Sequence, residues 1–154
     1  GLGDVYKRQD LDAQFFDTIF KNYQLVVEES GKVFRSDNQV NRILKMDKAL
    51  LKQLMTILVD NAIKYTDKNG VVEIKVKTTD KTLLISVIDN GPGIKDEEKK
   101  KIFDRFYRVD KARTRQTGGF GLGLALAQQI VTSLKGSITV KDNFPKGSIF
   151  EVKL

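Results

Sequence analysis

At 154 residues, 40% hydrophobic and 31% charged, the chain has the size and composition of one folded domain. It contains neither cysteine nor histidine, so disulfides are excluded, zinc loses its two usual ligand types, and no imidazole can serve as general base or phosphoryl acceptor. The net charge of +7 comes from lysines spread along the whole chain, and arginines interleaved with base-stacking aromatics on strands are missing, which argues against nucleic acid as a partner.

No apolar run is long enough for a membrane span, and no secretory signal pattern is present. Residues 1–9 include Asp4-Val5-Tyr6-Lys7-Arg8-Gln9, which resembles the translation of a transposon adapter used in sequencing libraries. They are read as a non-native or disordered leader, with the domain spanning 10–154.

From Asp12 to about Glu29, apolar residues at Phe15, Phe16, Ile19, Phe20 and Tyr23 keep helical spacing, and Gly31 stops the helix. Lys32–Arg35 and Val40–Lys45 are predicted as a short hairpin around Ser36-Asp37-Asn38. Asp47 is placed to cap a second helix whose stripe is Leu51, Leu54, Leu58, Ala62 and Tyr65, ended by Thr66-Asp67-Lys68-Asn69-Gly70. Val72, Ile74 and Val76, then Leu83, Ile85 and Val87, alternate with other residues, predicting two strands joined at Asp80-Lys81 and buried on one face. Asp96 to Lys101 is expected to be a short helix, and Leu122 to Leu134 a longer one. Ser137–Lys141 and Ser148–Leu154 complete the set, turned by Pro145-Lys146-Gly147. The expected fold is α+β: a two-layer α/β sandwich with three helices over one face of a mixed, mostly antiparallel sheet.

Three groups carry candidate chemistry. Asn61 and Lys64 are neighbours on the surface of the second helix, where an amide oxygen can ligate Mg²⁺ and an ammonium can meet phosphate; alone they read as ordinary helix-end polar residues. In Asp89-Asn90-Gly91-Pro92-Gly93 a strand-end carboxylate can accept from an exocyclic amine such as adenine's, although a lone motif of this kind is more often a turn. The stretch Phe103 to Leu124 runs from an aromatic, basic head through a polar segment to Gly119, Gly121 and Gly123, the pattern of a lid that brings backbone amides to phosphate at a helix start. The glycine run is not the dinucleotide fingerprint, because Leu124 takes the sixth position, and there is no G-x-x-x-x-G-K-[ST] loop.

In this order and spacing the groups resemble the catalytic ATP-binding domain of bacterial sensor histidine kinases, within the superfamily shared with gyrase, Hsp90 and MutL. The resemblance covers roughly residues 10–154 and implies the Bergerat ATP-binding fold with a nucleotide lid. It implies that Asn61 holds Mg²⁺, Lys64 contacts phosphate, Tyr65 lies beside adenine, and Asp89, with Gly91 and Gly93, recognises the adenine amine. Phe103-Asp104-Arg105-Phe106-Tyr107-Arg108 matches the F box, with Arg108 on the phosphate side. Phe103, Phe106 and Tyr107 are expected to anchor the lid's base against the core. Gly119, Gly121 and Gly123 match the second glycine box, and Gly147-Ser148-Ile149-Phe150 the final one, with Ser148 in place of threonine. Ile94, Phe106, Tyr107, Leu122 and Leu124 complete the implied nucleotide contacts, and Asn61, Lys64 and Arg108 the catalytic set.

Ile57 departs from the pattern, since members that hydrolyse ATP place glutamate there and many histidine kinases asparagine. Self-contained hydrolysis is therefore not expected. The implied cofactors are ATP and Mg²⁺. The implied partners are a His-bearing dimerisation domain of the same kinase and a response regulator, with this piece a monomeric cytoplasmic domain of a membrane-anchored sensor. The alternatives are a Ser/Thr kinase of the anti-sigma type, against which the F box weighs, and a non-catalytic nucleotide-gated interaction module, for which Ile57 leaves room.

Overall fold

The structure, a computed structural model, describes residues 7–107 and 123–154. Strand β1 (Gln9–Leu11) leads into helix α1 (Ala13–Glu29), where Asp12 caps the first turn by accepting from Gln14 N at 3.0 Å. Strands β2 (Val33–Gln39) and β3 (Leu44–Met46) follow, then helix α2 (Lys48–Tyr65). Next come β4 (Val71–Thr78), β5 (Leu83–Asp89), α3 (Gly123–Ser133), β6 (Ser137–Asp142) and β7 (Ser148–Lys153). The main sheet runs β2-β4-β5-β7-β6, with β2 parallel to β4 and every other pairing antiparallel. The mixed, mostly antiparallel sheet with helices on one side is the expected Bergerat-type sandwich.

Alternation decides which face the helices cover. Val72, Ile74 and Val76, Leu83, Ile85 and Val87, and Phe150 and Val152 are all buried, while Lys75, Lys77 and Lys153 stand exposed on the other face. Onto the buried face α2 lays Leu51, Leu54, Met55 and Leu58, and α3 lays Ile130 and Val131. Each such fully buried aliphatic or aromatic side chain contributes roughly 1.5–3 kcal/mol relative to exposure. The β4–β5 turn closes where expected, with Thr79 N donating to Thr82 O at 2.9 Å and Thr82 N to Thr79 Oγ1 at 3.1 Å.

Two local expectations are corrected. Ser36-Asp37-Asn38 is not a turn but the middle of one seven-residue strand, β2, whose partner is β4 and not a hairpin mate. Its polar residues suit an edge strand. Asn38 Nδ2 donates to Ala13 O at 2.9 Å and Asp17 Oδ1 at 2.8 Å, tying the edge to α1. The second half of the supposed hairpin is the separate β3, which pairs antiparallel with β1 through Leu11 opposite Leu44. The short helix expected over Asp96–Lys101 is instead two 3₁₀ turns, Asp96–Glu98 and Lys101–Phe103, the second burying Ile102 and Phe103.

Asp47 is buried and uses both oxygens: Oδ1 accepts from Leu50 N at 3.0 Å and Oδ2 from Lys7 N at 2.9 Å. Asp47→Ala is expected to lose roughly 1–2 kcal/mol, lowering Tm by roughly 2–8 °C. An unchanged melting curve in scanning calorimetry would show that the cap adds nothing.

Candidate functional site

The site forms where β5 ends. Asp89 lies opposite Val72 on β4 and Ser148 on β7, and is only 4% exposed. Its Oδ1 accepts from Gly91 N at 2.9 Å and from Ser148 N at 3.3 Å. No hydrogen bond is made to Oδ2 among the described residues. Burial pushes the Asp89 carboxyl above its ordinary range, and the two amide donors pull it only partly back.

Three chain segments crowd around this carboxylate, and two of them need glycine. A Cβ on Gly91 would lie 2.5 Å from Tyr65 O, so the strand end can lie against the C-terminus of α2 only without a side chain there. Gly147, in the β6–β7 loop, has φ +109°, and a Cβ on it would stand 1.9 Å from Asp89 O. Asn90 turns the other way, its Oδ1 accepting from Val71 N at 2.8 Å and tying the end of β5 to the start of β4. Asn143, at the base of the β6–β7 loop, donates from Nδ2 to Asp89 O at 2.9 Å.

Beside Asp89 lies a cavity of about 100 Å³, lined by Asn61 and Tyr65 from α2, Gly93 and Ile94 after β5, Tyr107, Leu124 at the start of α3, and Ser148 of β7. Ile102 completes its wall with Pro92 and Phe150, which belong to the 89–93 motif and the final box without being among the individual contacts that the resemblance implies. Phe150 is held by an edge-on contact with Phe103, ring centroids 6.2 Å apart. The walls are thus largely apolar, with Asp89, Asn61 and Ser148 among their polar members. Aliphatic and proline carbons could flank a flat heteroaromatic ring here, and Asp89, among the lining residues, has one carboxylate oxygen without a donor among the described residues.

The remaining candidates sit elsewhere. Lys64 is exposed on the last turn of α2, within electrostatic reach of Asp60, and does not line the cavity. Gly91 packs behind the site against Tyr65 O. Gly123 opens α3, its Cβ position 3.5 Å from Ile57 Cγ2. Phe106 does not anchor the lid's base as expected. It is 64% exposed with φ +66°, turned outward between buried Phe103 and half-buried Tyr107, and the Arg105 guanidinium lies 5.5 Å from its ring centre. Tyr107 does face the core side, its hydroxyl donating to Glu98 Oε1 at 2.7 Å. Arg108, Gly119, Gly121 and Leu122 lie outside the described residues. Among the described residues there is no cluster of three metal-ligating side chains and no helix long and apolar enough to cross a membrane.

A helix-backed mixed sheet with a buried strand-end carboxylate over an apolar slot defines a nucleotide-binding domain of the Bergerat type. The chain belongs to the family described as histidine kinase-, DNA gyrase B- and HSP90-like ATPases, which matches residues 46–154. It therefore carries the ATP-binding unit of that family. It is 59% identical over 145 residues to the sensor protein CiaH of Streptococcus pneumoniae, covering 94% of this chain and 33% of CiaH. The chain thus spans about a third of that relative's length. Among solved structures, the catalytic domain of histidine kinase ThkA superposes with a TM-score of 0.81 at 23% identity, covering 96% of this chain and 95% of that one. ThkA has also been solved in complex with response regulator protein TrrA, where the match has a TM-score of 0.77 at 23% identity over 96% of this chain and 41% of that one.

Two outcomes test the site's energetics. Because Asp89 has a folded-state pKa above its unfolded value, its charge destabilises the fold at neutral pH, and that penalty is relieved as pH falls through the raised pKa. Apo Asp89→Asn should therefore be at least as stable as wild type at about pH 7 and lose that advantage toward about pH 4, near the ordinary carboxyl value. A stability difference that stays flat across this range in urea titrations would contradict the burial account. For Gly147→Ala, the left-handed backbone alone costs roughly 1–3 kcal/mol, and the methyl group must also displace Asp89 O. A marked fall in Tm is expected, and a wild-type Tm would mean that the loop yields freely.

Proposed function

We propose that this domain binds ATP·Mg²⁺ and presents the γ-phosphate to a histidine on a separate dimerisation domain, as part of a two-component sensor histidine kinase. The observation that carries the adenine half of this reading is the Asp89 carboxylate, which lines a largely apolar cavity with Oδ1 taken by two main-chain donors and Oδ2 left without one among the described residues. An acceptor buried in that way selects a ring that offers an N–H, because a base without one would leave it desolvated and unpaired. Ile94, Ile102 and Leu124 would sandwich the ring, and Tyr65 and Tyr107 would border it.

Mg²⁺ bound with the triphosphate would supply charge neutralisation. Asn61, whose side chain borders the same cavity from α2, is the residue to hold it by its amide oxygen, a role that fits the preference of this ion for few protein ligands alongside phosphate oxygens. Lys64 on α2 and Arg108 before α3 would contribute cationic donors on the phosphate side, with Gly119, Gly121 and Gly123 giving phosphate access to main-chain amides. Phosphoryl transfer needs positioning and charge neutralisation more than covalent help from the protein, so no hydrolytic base is required at Ile57. The family, the CiaH likeness and the absence of any histidine among the 154 residues all support an acceptor on another domain. The reading takes residues 10–154 as this domain, in a sensor whose other parts reach a membrane and a response regulator. The description of ThkA as a complex with such a regulator supports the last of these.

The purified chain should gain thermal stability with ADP or ATP, more with Mg²⁺ than without, and should label a supplied His-bearing dimerisation domain from γ-labelled ATP without labelling itself. Stabilisation without transfer would favour a nucleotide-gated interaction module. No stabilisation by either nucleotide would remove the proposal altogether, because a ligand selective for the native state must raise its stability.

A further inference from the structure

A closed ring of hydrogen bonds joins the β6–β7 loop to Asp89, which lines the cavity. Asn143 N donates to Gly147 O at 3.0 Å. The next residue, Ser148, donates from its main-chain N to Asp89 Oδ1 at 3.3 Å. Asp89 O in turn accepts from Asn143 Nδ2 at 2.9 Å, and Asn143 Oδ1 accepts from Phe144 N at 2.9 Å. The amide orientation of Asn143 is therefore fixed twice, by a donor on its oxygen and an acceptor on its nitrogen. The bond from Ser148 is the longest in the ring, and nothing else in the loop reaches Asp89 by a side chain. Gly147 lies against Asp89 O and Asn90 with no side chain of its own, so Asn143 supplies the loop's side-chain tie to Asp89, beside the β5–β7 pairing of Asp89 with Ser148.

We propose that Asn143 is a positioning residue for base recognition: by fixing the β6–β7 loop on Asp89 O it keeps Ser148 N on Oδ1, which aims Oδ2 at the exocyclic amine of the bound purine. This rests on the reading of Asp89 as the acceptor for that amine. With the Asn143 bond gone, the loop loses its side-chain tie to Asp89 O just ahead of β7, the Ser148 bond, already the longest of the set, weakens, and the carboxylate leans on its donor from Gly91. The side chain then turns about its Cβ–Cγ bond, and the amine meets a disordered acceptor.

The test compares ADP with purine riboside 5′-diphosphate, which lacks the amine, by calorimetric titration on wild type, Asn143→Ala and Asn143→Asp. The aspartate keeps the size and the acceptor for Phe144 N and removes the donor to Asp89 O. ADP affinity is expected to fall about three- to tenfold in both variants, while affinity for the amine-free analogue stays at the wild-type value. Equal losses for both ligands would mark Asn143 as a general support of the loop and overturn the proposal, as would wild-type discrimination between the ligands in either variant. If wild type itself bound ADP no better than the analogue, the assignment of Asp89 would fall, and this inference with it. Wild-type preference for ADP that survives in both Asn143 variants would overturn the inference alone. Unfolding of the alanine variant leaves the isosteric aspartate to decide, read against apo melting curves.

Discussion

Asp89 keeps a carboxylate 4% exposed at the end of a central strand, with two amide donors on one oxygen and none on the other. Removing such a group from water costs several kcal/mol unless its lone pairs are met. Here the two donors offset part of the loss, and the upward direction of its pKa shows that a deficit remains. A ligand bringing one more N–H to Oδ2 would complete the shell. The domain therefore holds a partly unmet acceptor beside a largely apolar cavity, an arrangement by which a small slot can gain selectivity without many contacts.

That carboxylate dictates the backbone around it. Two main-chain N–H groups can reach one oxygen only if both flanking segments come within van der Waals distance of the strand end. Gly91 permits this on the α2 side and Gly147 on the β7 side, each where a Cβ would overlap a carbonyl. The sheet order supplies the rest. β5 sits between β4 and β7, so its last residue meets the β6–β7 loop on one side and the start of β4 on the other. Asn90 and Asn143 secure those two sides by side-chain hydrogen bonds to main chain. Glycine for approach and asparagine for attachment divide the work at this corner of the fold.

The parts legible in the sequence were those set by local period. Helical spacing in α1 and α2 and strict alternation in β4, β5 and β7 each report a buried face, and burial is what the fold then uses. The cap at Asp47 and the turn at Asp80-Lys81 rest on short-range chemistry and were equally visible. What failed was set by distant partners. Ser36-Asp37-Asn38 has turn composition, yet its neighbours are the parallel β4 and the N-terminus of α1, which give its polar groups other bonds. Phe106 is aromatic within an aromatic cluster, but a positive φ directs it to solvent. At the site, Asp89 stood out as a strand-end carboxylate before glycines. Asn143 gave no signal, because its partner is 54 residues away in the chain and an asparagine ahead of a proline-glycine turn reads as turn chemistry.

Ile57 lies on α2 one turn before Asn61, which borders the cavity. The family resemblance implies that members which hydrolyse ATP place a carboxylate at this position, and an aliphatic side chain cannot polarise water. The structure gives it other employment. Its Cγ2 lies 3.5 Å from where a Cβ of Gly123 would be, so it forms apolar contact beneath the first residue of α3, the helix whose Leu124 borders the cavity. An apolar residue here joins the helix bearing Asn61 to the helix that follows the glycine run. A carboxylate in the same place would face that contact with an unpaired charge. Ile57 therefore serves packing between the two helices and offers no group that could activate water.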